Sequence, residues 1–206
     1  MPLDGICMQA VAEELRLELL GLRIDKVQQP ARDQVILLLR GNKRLLLNAG
    51  ANTPRIQLTA LTRDNPAEPP MFCMLLRKHL VGGRVAAVTQ PPLERLVRLE
   101  LDVTDDFGQP GRRTLVLEAM GRRSNLILLD GEGRIIDCLR RVDADMSAAR
   151  QVLPGLFYQQ PPAQNRRNPV QTGQKELLAM LEAEEGSALL DQWLLERFLA
   201  LPPLIC

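Results

Sequence analysis

Apolar residues recur along this chain with two different spacings, and the change of spacing marks where helices are expected to give way to strands. In the first twenty residues they form one stripe of a helix predicted over 5–20, with Asp4 as its N-cap and Gly21 as its stop. Short runs of aliphatic residues follow, divided by proline, glycine and asparagine, which is typical of an antiparallel meander. Strands are therefore expected over 23–28, 34–40, 44–49 and 55–58.

A second helix is predicted over 66–80. A Pro-Pro pair suits its first turn, where a backbone N–H would be unpaired anyway, and a Gly-Gly pair after it supplies a left-handed stop. Its last turn carries Arg77, Lys78 and His79. These side chains either neutralise the helix dipole, which stabilises by about 0.3–1 kcal/mol each at an exposed site, or contact a polyanion.

The remaining pattern predicts a second set of strands and then two more helices. The strands are expected over 84–90, 93–104, 113–118, 126–130 and 134–139, and the amphipathic helices over 175–185 and 187–201. The fold class predicted is α+β. We expect two antiparallel β-sheets packed face to face with flanking helices, followed by the start of an α-helical domain.

Charge is spread unevenly along the chain. Its 206 residues carry a formal net charge of +1, but the last 36 hold 2 Lys/Arg against 6 Asp/Glu, which leaves 24 against 19 in the first 170. A domain that grips a long duplex is usually more basic, so any polyanion contact is expected to be a local patch.

The four cysteines are scattered singly and only one histidine is present, so neither a metal site nor a disulfide framework is expected, and no cofactor motif is found. There is no secretion leader and no apolar run long enough to cross a bilayer. The expected location is the cytoplasm, without membrane contact.

Several short motifs, taken in order, resemble the NFACT-N domain of the RqcH-type ribosome quality-control factors, which are also called fibronectin-binding protein A-like. The motifs are Leu3-Asp4-Gly5, Gly21-Leu22-Arg23-Ile24, the proline-gated helix, Met120-Gly121-Arg122-Arg123-Ser124-Asn125, and Leu153-Pro154-Gly155 with Tyr158 and Pro161-Pro162. The resemblance implies an NFACT-N domain over 1–165, a linker over 166–174 and the beginning of a truncated helix-hairpin-helix domain over 175–206.

The resemblance also implies an essential acidic-basic pair, which Glu94-Arg95 matches, although glutamate stands where the family usually has aspartate. The alternative is a solvated strand end, since adjacent strand residues point to opposite faces. Asp4 likewise matches an acidic position implicated in the family's function, while an N-cap alone explains an aspartate there.

The run Arg122-Arg123-Ser124-Asn125 suits a nucleic-acid backbone. The glycine before it lets the chain turn close to a ligand, guanidinium groups bind phosphate bidentately, and Ser and Asn add neutral donors. Arg123 departs from the family's usual histidine. The alternative is two arginines on a hairpin turn. A basic patch that includes Arg95, Arg122, Arg77 and Lys78 is the expected tRNA contact.

By resemblance, the whole protein would bind an obstructed large ribosomal subunit that still holds a peptidyl-tRNA. It would recruit tRNA, in particular alanyl-tRNA, and direct alanine tailing of the stalled chain. The ribosome would catalyse peptidyl transfer, so no enzymatic activity is expected of this chain.

Two other functions are alternatives. The family's older name reports fibronectin binding, which makes an adhesin the alternative. The NFACT-N fold also resembles the N-terminal domain of formamidopyrimidine-DNA glycosylases, whose nucleophile is an N-terminal proline amine, as Pro2 would provide. Here Leu3 replaces the glutamate that serves those enzymes as acid and base, and leucine transfers no proton.

Overall fold

A computed structural model describes residues 3–105, 107–147, 150–162, 165–184, 186 and 189–201. The two first helices are α1 (Gly5–Leu19) and α2 (Met71–Leu80). The strands are β1 (Ile24–Ala31), β2 (Gln34–Leu39), β3 (Lys43–Asn48), β4 (Arg55–Leu58), β5 (Arg84–Thr89), β6 (Leu96–Thr104), β7 (Pro110–Glu118), β8 (Asn125–Leu129) and β9 (Ile135–Cys138). The last helices are α3 (Gln174–Glu182) and α4 (Leu190–Arg197).

The strands form two antiparallel meanders, each with its strands in chain order. The first sheet is β1-β2-β3-β4 and the second is β5-β6-β7-β8-β9, and α2 lies between them in sequence. The longest ladder joins β6 to β7, from Leu96 opposite Glu118 to Thr104 opposite Pro110. The predicted α+β fold with two antiparallel sheets and flanking helices is therefore confirmed.

Both sheets share one apolar core with α1 and α2. From the first sheet it contains Leu37 and Leu47, and from the second Leu99 and Leu117. The buried stripe of α1 and the inward face of α2 fill the rest: Met8, Ala12, Leu15 and Leu19, then Phe72, Cys73, Leu76 and Leu80. The removal of this apolar surface from water is the main force that holds the two sheets together.

The outer face of the second sheet is covered by a segment that we call the strap, residues 140–147 and 150–158. A separate apolar cluster lies beneath it, made of Leu96, Val116, Ile127, Leu129, Ile135, Cys138 and Val152. Val142 and Val152 exchange two backbone hydrogen bonds of 3.0 and 2.8 Å, which fold the strap back on itself. The second sheet is thus buried on both faces.

The outer face of the first sheet has a thinner cover, residues 59–63. Ile36 and Leu46 lie on this face and are buried, yet Leu61 above it is 66% exposed. The Arg44 side chain donates a hydrogen bond of 3.2 Å to the Ala60 carbonyl, and the Thr59 amide donates one of 2.9 Å to the Arg44 carbonyl.

Several predicted boundaries are wrong, among them the start of β7, at Pro110 instead of 113, and both ends of α4, and two of the errors have a clear physical cause. The second helix starts at Met71, not at 66, because the residues before Pro66, Pro69 and Pro70 are biased towards extended backbone. Pro70 is the N-cap, and its φ of −59° and ψ of 153° are not helical. β6 starts at Leu96, not at 93, because Leu93 has a φ of +57°, which breaks the strand.

Two aromatic residues, one in α4 and one directly after it, pack against each other with ring centroids 6.0 Å apart. Trp193 and Phe198 are buried, and the Trp193 indole N–H donates to the Glu184 carboxylate at 2.7 Å. Arg167 pairs with Phe198 in a β-bridge, so the predicted linker is in contact with the segment after α4. The division at 166–174 stays a prediction.

No helix within the described residues is both long and apolar enough to span a bilayer.

Candidate nucleic-acid interface

The acidic-basic pair lies in a tight turn just before β6. The Glu94 amide donates to the Pro91 carbonyl at 3.0 Å, and the positive φ of Leu93 reverses the chain. The Gln90 side-chain amide donates to the Glu94 carbonyl at 2.7 Å and to the Gly5 carbonyl at 3.2 Å. The turn is therefore tied to the first residue of α1.

Asp4 lies beside this turn and caps α1. Its carboxylate accepts a 2.7 Å hydrogen bond from the Cys7 amide, which confirms the predicted N-cap. A Cβ built on Gly5 would overlap the Leu93 carbonyl oxygen, so only glycine permits this close approach. Asp4 and Glu94, which are far apart in sequence, thus belong to one corner of the fold.

The arginine loop, residues 120–125, lies next to the same corner. The Ala119 amide donates to the Arg95 carbonyl at 2.8 Å, and the loop follows directly as a 3₁₀ turn over Gly121–Arg123. Gly121 has a φ of +59°, which favours glycine at this turn, and the predicted close approach to a ligand stays a prediction. These backbone contacts make Asp4, Glu94-Arg95 and the start of the arginine loop neighbours at one corner of the fold.

Ser124 and Asn125 are used inside the protein. The Ser124 hydroxyl is fully buried and accepts a 2.9 Å hydrogen bond from the Met120 amide, which closes the loop. The Asn125 side chain donates to the Arg140 carbonyl at 2.7 Å and accepts from the Arg140 amide at 2.9 Å. These contacts place the loop against the strap, and contact of either side chain with RNA stays a prediction.

A cavity of about 550 Å³, which we call the arginine pocket, opens between the loop and the strap. Five arginines line it: Arg122, Arg123, Arg140, Arg141 and Arg150. The remaining lining residues include Glu118, Met120, Ser124, Asn125, Val142, Met146, Ser147, Val152, Pro161 and Pro162.

Most of the positive charge in the arginine pocket is not neutralised by the protein. Arg141 pairs with Asp137 at 3.5 Å on the surface, and Arg150 pairs with Glu118 at 2.5 Å. Within the described residues, Arg122, Arg123 and Arg140 take part in no ion pair. A cavity lined by unpaired guanidinium groups attracts phosphate, which arginine binds bidentately.

Three side chains, which we call the clasp, hold the strap to β7. Glu118, only 2% exposed, accepts hydrogen bonds from both terminal nitrogens of Arg150, at 3.0 and 2.5 Å. The Tyr158 hydroxyl donates to the same carboxylate at 2.7 Å. Burial, and then the Glu118 charge, raises the pKa of Tyr158 well above its ordinary value. The tyrosine therefore stays a neutral hydrogen-bond donor.

Arg77 and Lys78 lie on α2, and no hydrogen bond or ion pair between described residues joins them to the corner. The Arg77 Nε donates to the Val27 carbonyl of β1 at 3.0 Å, so this side chain fastens α2 to the first sheet. Lys78 is exposed. Their contact with RNA stays a prediction.

Sequence reasoning missed three arginines of the pocket, Arg140, Arg141 and Arg150. A signal was available, because Arg140-Arg141 repeats the dipeptide of the loop. No pattern in the sequence, however, places 140–150 beside 120–125.

Within the described residues, no group of three or more potential metal ligands is found. Pro2, the alternative nucleophile, lies outside the described residues.

Comparison with known proteins gives one consistent result. Residues 4–206 match the family model described as NFACT N-terminal and middle domains. The Rqc2 homolog RqcH of Bacillus subtilis is 38% identical over 208 residues, which cover 99% of this chain and 36% of that protein. Ribosome quality control complex subunit 2 of Saccharomyces cerevisiae is 32% identical over 145 residues, 68% of this chain and 13% of that protein.

A solved structure agrees with these sequences. The N-terminal domain of the fibronectin-binding protein PavA from Streptococcus pneumoniae superposes with a TM-score of 0.88 at 33% identity, over 98% of this chain and 76% of that one. This chain spans only about a third of the length of the Bacillus relative, since the match covers 36% of that protein.

Proposed function

This chain belongs to the family of NFACT N-terminal and middle domains, and on that basis we propose that it is the tRNA-binding part of a ribosome-associated quality control factor. Two of its relatives carry Rqc2 or ribosome quality control complex in their names. In the proposal, the whole cytoplasmic protein binds an obstructed large ribosomal subunit with its peptidyl-tRNA and recruits tRNA for alanine tailing. The chain binds and positions RNA, and the ribosome catalyses peptide transfer.

One observation carries this proposal: the acidic-basic turn and the arginine loop are neighbours at one corner, joined by the bond between Ala119 and Arg95. The corner presents Arg95, Arg122 and Arg123, none of which forms an ion pair with a described residue. Phosphate oxygens of a folded RNA are the natural partners of such a group.

The mechanism follows from which groups are fixed and which are free. Gln90 and Gly5 fix the backbone of the turn, while Ser124 and Asn125 fix the loop and its contact with the strap. The guanidinium groups then approach RNA from pre-organised backbones, which lowers the ordering cost of binding. The chain has few aromatic residues, 3% of the total, so phosphate and 2′-OH contacts dominate over stacking.

The test is binding of the chain to alanine-accepting tRNA and to a nonspecific duplex RNA over a salt series. We expect a preference for tRNA and affinity that falls steeply as salt rises, because phosphate contacts release counterions. The double variant Glu94→Ala/Arg95→Ala should lose the preference.

A matched control removes another acid and base from the same sheet. Asp102→Ala/Arg112→Ala deletes a surface ion pair of 3.0 Å between β6 and β7, where Asp102 lies at the opposite end of β6 from Arg95. It should bind tRNA as the wild type does. If both double variants bind equally well, the role of Glu94-Arg95 is refuted; if the wild type does not discriminate tRNA from duplex, tRNA recognition by this chain is refuted.

Asp4 needs a substitution that separates its two roles. Asn caps helices as well as Asp does, so Asp4→Asn keeps the cap and removes only the charge. A loss of tRNA affinity at unchanged stability would favour the functional role, whereas unchanged binding would leave Asp4 as a cap.

Adhesion is the second candidate, because the PavA structure comes from a protein titled fibronectin-binding. The salt series distinguishes the two, since protein contacts lack the steep counterion-release slope. The glycosylase alternative has less support: Leu3, which occupies the position of the acid-base residue, is partly buried and packs against the shared core.

A further inference from the structure

Two chemically different sets of residues line the arginine pocket, and we call them its cationic wall and its apolar wall. One wall is cationic and includes Arg122, Arg123 and Arg140. The other is apolar and includes Met120, Val142 and Met146. A cavity that only held the phosphate of a passing backbone would need the first wall alone.

The size of the cavity also exceeds what a phosphate group fills. Its volume is about 550 Å³, within the usual range of about 300–1,000 Å³ for pockets that bury a small ligand. A water molecule accounts for about 30 Å³ of liquid, and a phosphate group for only a few times that. A ligand that fills the pocket must therefore carry a larger, less polar part next to its anionic group.

The walls are held in place before any ligand arrives. The Arg140 side chain donates to the Arg122 carbonyl at 3.0 Å. The Asn125 side chain binds both the backbone N–H and the backbone carbonyl of Arg140. The clasp fastens the other end of the strap through Arg150 and the buried Glu118. Glu118 also uses its charge on Arg150, so it leaves the other guanidinium groups free for an anion.

We propose that the arginine pocket binds a single phosphorylated nucleotide unit. Its phosphate is held by Arg122, Arg123 and Arg140, and its base lies against Met120, Val142 and Met146. Methionine suits this wall because its polarisable thioether makes favourable contacts at the edges of aromatic rings. This nucleotide can come from two sources. It is either an unstacked nucleotide of a bound RNA, in which case the inference rests on the proposed function, or a free nucleotide of the same chemistry.

The first experiment titrates the chain with adenosine 5′-monophosphate, with adenosine and with inorganic phosphate, by calorimetry or by NMR of the backbone amides. The nucleotide should bind at least tenfold more tightly than either adenosine or phosphate alone, because only the nucleotide uses both walls. Equal affinity for phosphate and nucleotide would overturn the role of the apolar wall, and no nucleotide binding would overturn the proposal.

Two variants separate the walls. Arg123→Gln removes one cation from an exposed side chain and should weaken the nucleotide about tenfold or more. Met146→Ala truncates an exposed side chain, so it should weaken the nucleotide severalfold and leave phosphate binding unchanged. Arg112→Gln, a control at an exposed arginine of β7, should change neither. Loss of nucleotide binding in Arg112→Gln but not in Arg123→Gln would refute the site.

Competition with tRNA distinguishes the two sources and keeps this proposal apart from the previous one. If the nucleotide displaces tRNA, the pocket takes a nucleotide of the RNA; if both bind at once, its ligand is a free nucleotide. If the nucleotide binds and tRNA does not, the pocket stands and tRNA recognition falls. If tRNA binds and the nucleotide does not, the pocket proposal alone falls.

Discussion

The outer faces of the two sheets are covered in different ways, and only the cover of the second sheet borders a cavity lined by five arginines. On the first sheet, residues 59–63 lie over Ile36 and Leu46 and border a space of about 100 Å³ and a wide cavity of about 540 Å³, whose only charged lining residues in the described part of the chain are Lys43 and Arg44. On the second sheet, the strap folds over a buried apolar cluster and leaves the arginine pocket, about 550 Å³, at its edge. The difference lies in how each cover is fastened.

The first cover is fastened by hydrogen bonds to backbone carbonyls at the surface, such as the one from Arg44 to Ala60. The strap is fastened by a buried, fully hydrogen-bonded ion pair between Glu118 and Arg150. A buried pair has a strict geometry, because its desolvation is offset only when every bond is made. A cover held in this way can keep a cavity open beside it with its cations in place.

The largest expected effect comes from breaking the clasp. Arg150→Ala leaves the Glu118 carboxylate buried without its cation, and loss of one partner of a buried pair costs about 3–5 kcal/mol. Arg44→Ala, the matched change on the first sheet, removes one exposed hydrogen bond and should cost less than about 1 kcal/mol. Urea titrations give both free energies of unfolding. Similar losses in the two variants would show that the covers do not differ in this respect.

Alkaline pH should also act on the second sheet, through the buried thiol of Cys138. Burial, more than the neighbouring Asp137 charge, raises the pKa of Cys138 to about 11, whereas an unfolded thiol titrates near about 8.5. The folded chain therefore retains this proton over a range where the unfolded chain loses it. The contribution of the neutral thiol to the free energy of unfolding is fully present below about pH 8.5. Above that pH it falls by about 1.4 kcal/mol per pH unit, until the pH reaches the pKa of the folded thiol.

The measurement is the free energy of unfolding between about pH 8.5 and about pH 10, below the ordinary titration of tyrosine. Cys138→Ala should fall less steeply with pH than the wild type. Ile36→Val, which removes one methyl group under the other cover, should lower stability by about 1 kcal/mol and keep the wild-type slope. A wild-type slope in Cys138→Ala would contradict the burial of this thiol.

Tyr158→Phe should have an intermediate effect. It removes a hydrogen bond to a buried carboxylate, worth about 1.5 kcal/mol or more, while Arg150 continues to satisfy Glu118. Thr59→Val is the matched change on the first sheet, because the Thr59 hydroxyl accepts a 3.1 Å bond from the Leu61 amide at the surface. Its effect should stay within about 0.5 kcal/mol. Thermal unfolding of the two variants side by side checks the difference, and equal shifts would contradict it.

The smallest effect on stability has the most specific functional readout. Gly121→Ala and Gly41→Ala both place a side chain at positive φ, +59° and +79°, and each should cost about 1 kcal/mol. Only Gly121 shapes the arginine pocket, so only its variant should weaken tRNA binding. A loss of tRNA affinity in both variants would attribute the effect to stability instead of to the site.

Much of the fold could be predicted from the sequence, because helix stripes and strand punctuation are local signals. The positive φ of Leu93 could not, since leucine disfavours that conformation and adopts it here only because the turn is held by Gln90 and Gly5. The late start of the second helix was predictable in principle from its prolines.

The candidate site divides in the same way. Arg122-Arg123 and Glu94-Arg95 carry short motifs that can be read directly. The contribution of Arg140 depends on the strap, whose position is set by the tertiary structure. A glutamate at the end of a strand is usually solvated, and Glu118 is buried only because Arg150 and Tyr158 reach it from the strap.

The close packing of Gly5 has a consequence for the order in which the protein forms. Gly5 lies against Leu93, and a Cβ there would also come within 2.8 Å of Ala200, so three distant parts of the sequence meet at one point. Contacts of such long range form late, since long loops must close first. During synthesis, the start of α1 is made early but must wait for residue 200. A nascent copy therefore completes the packing around Gly5 only after residue 200 has been made.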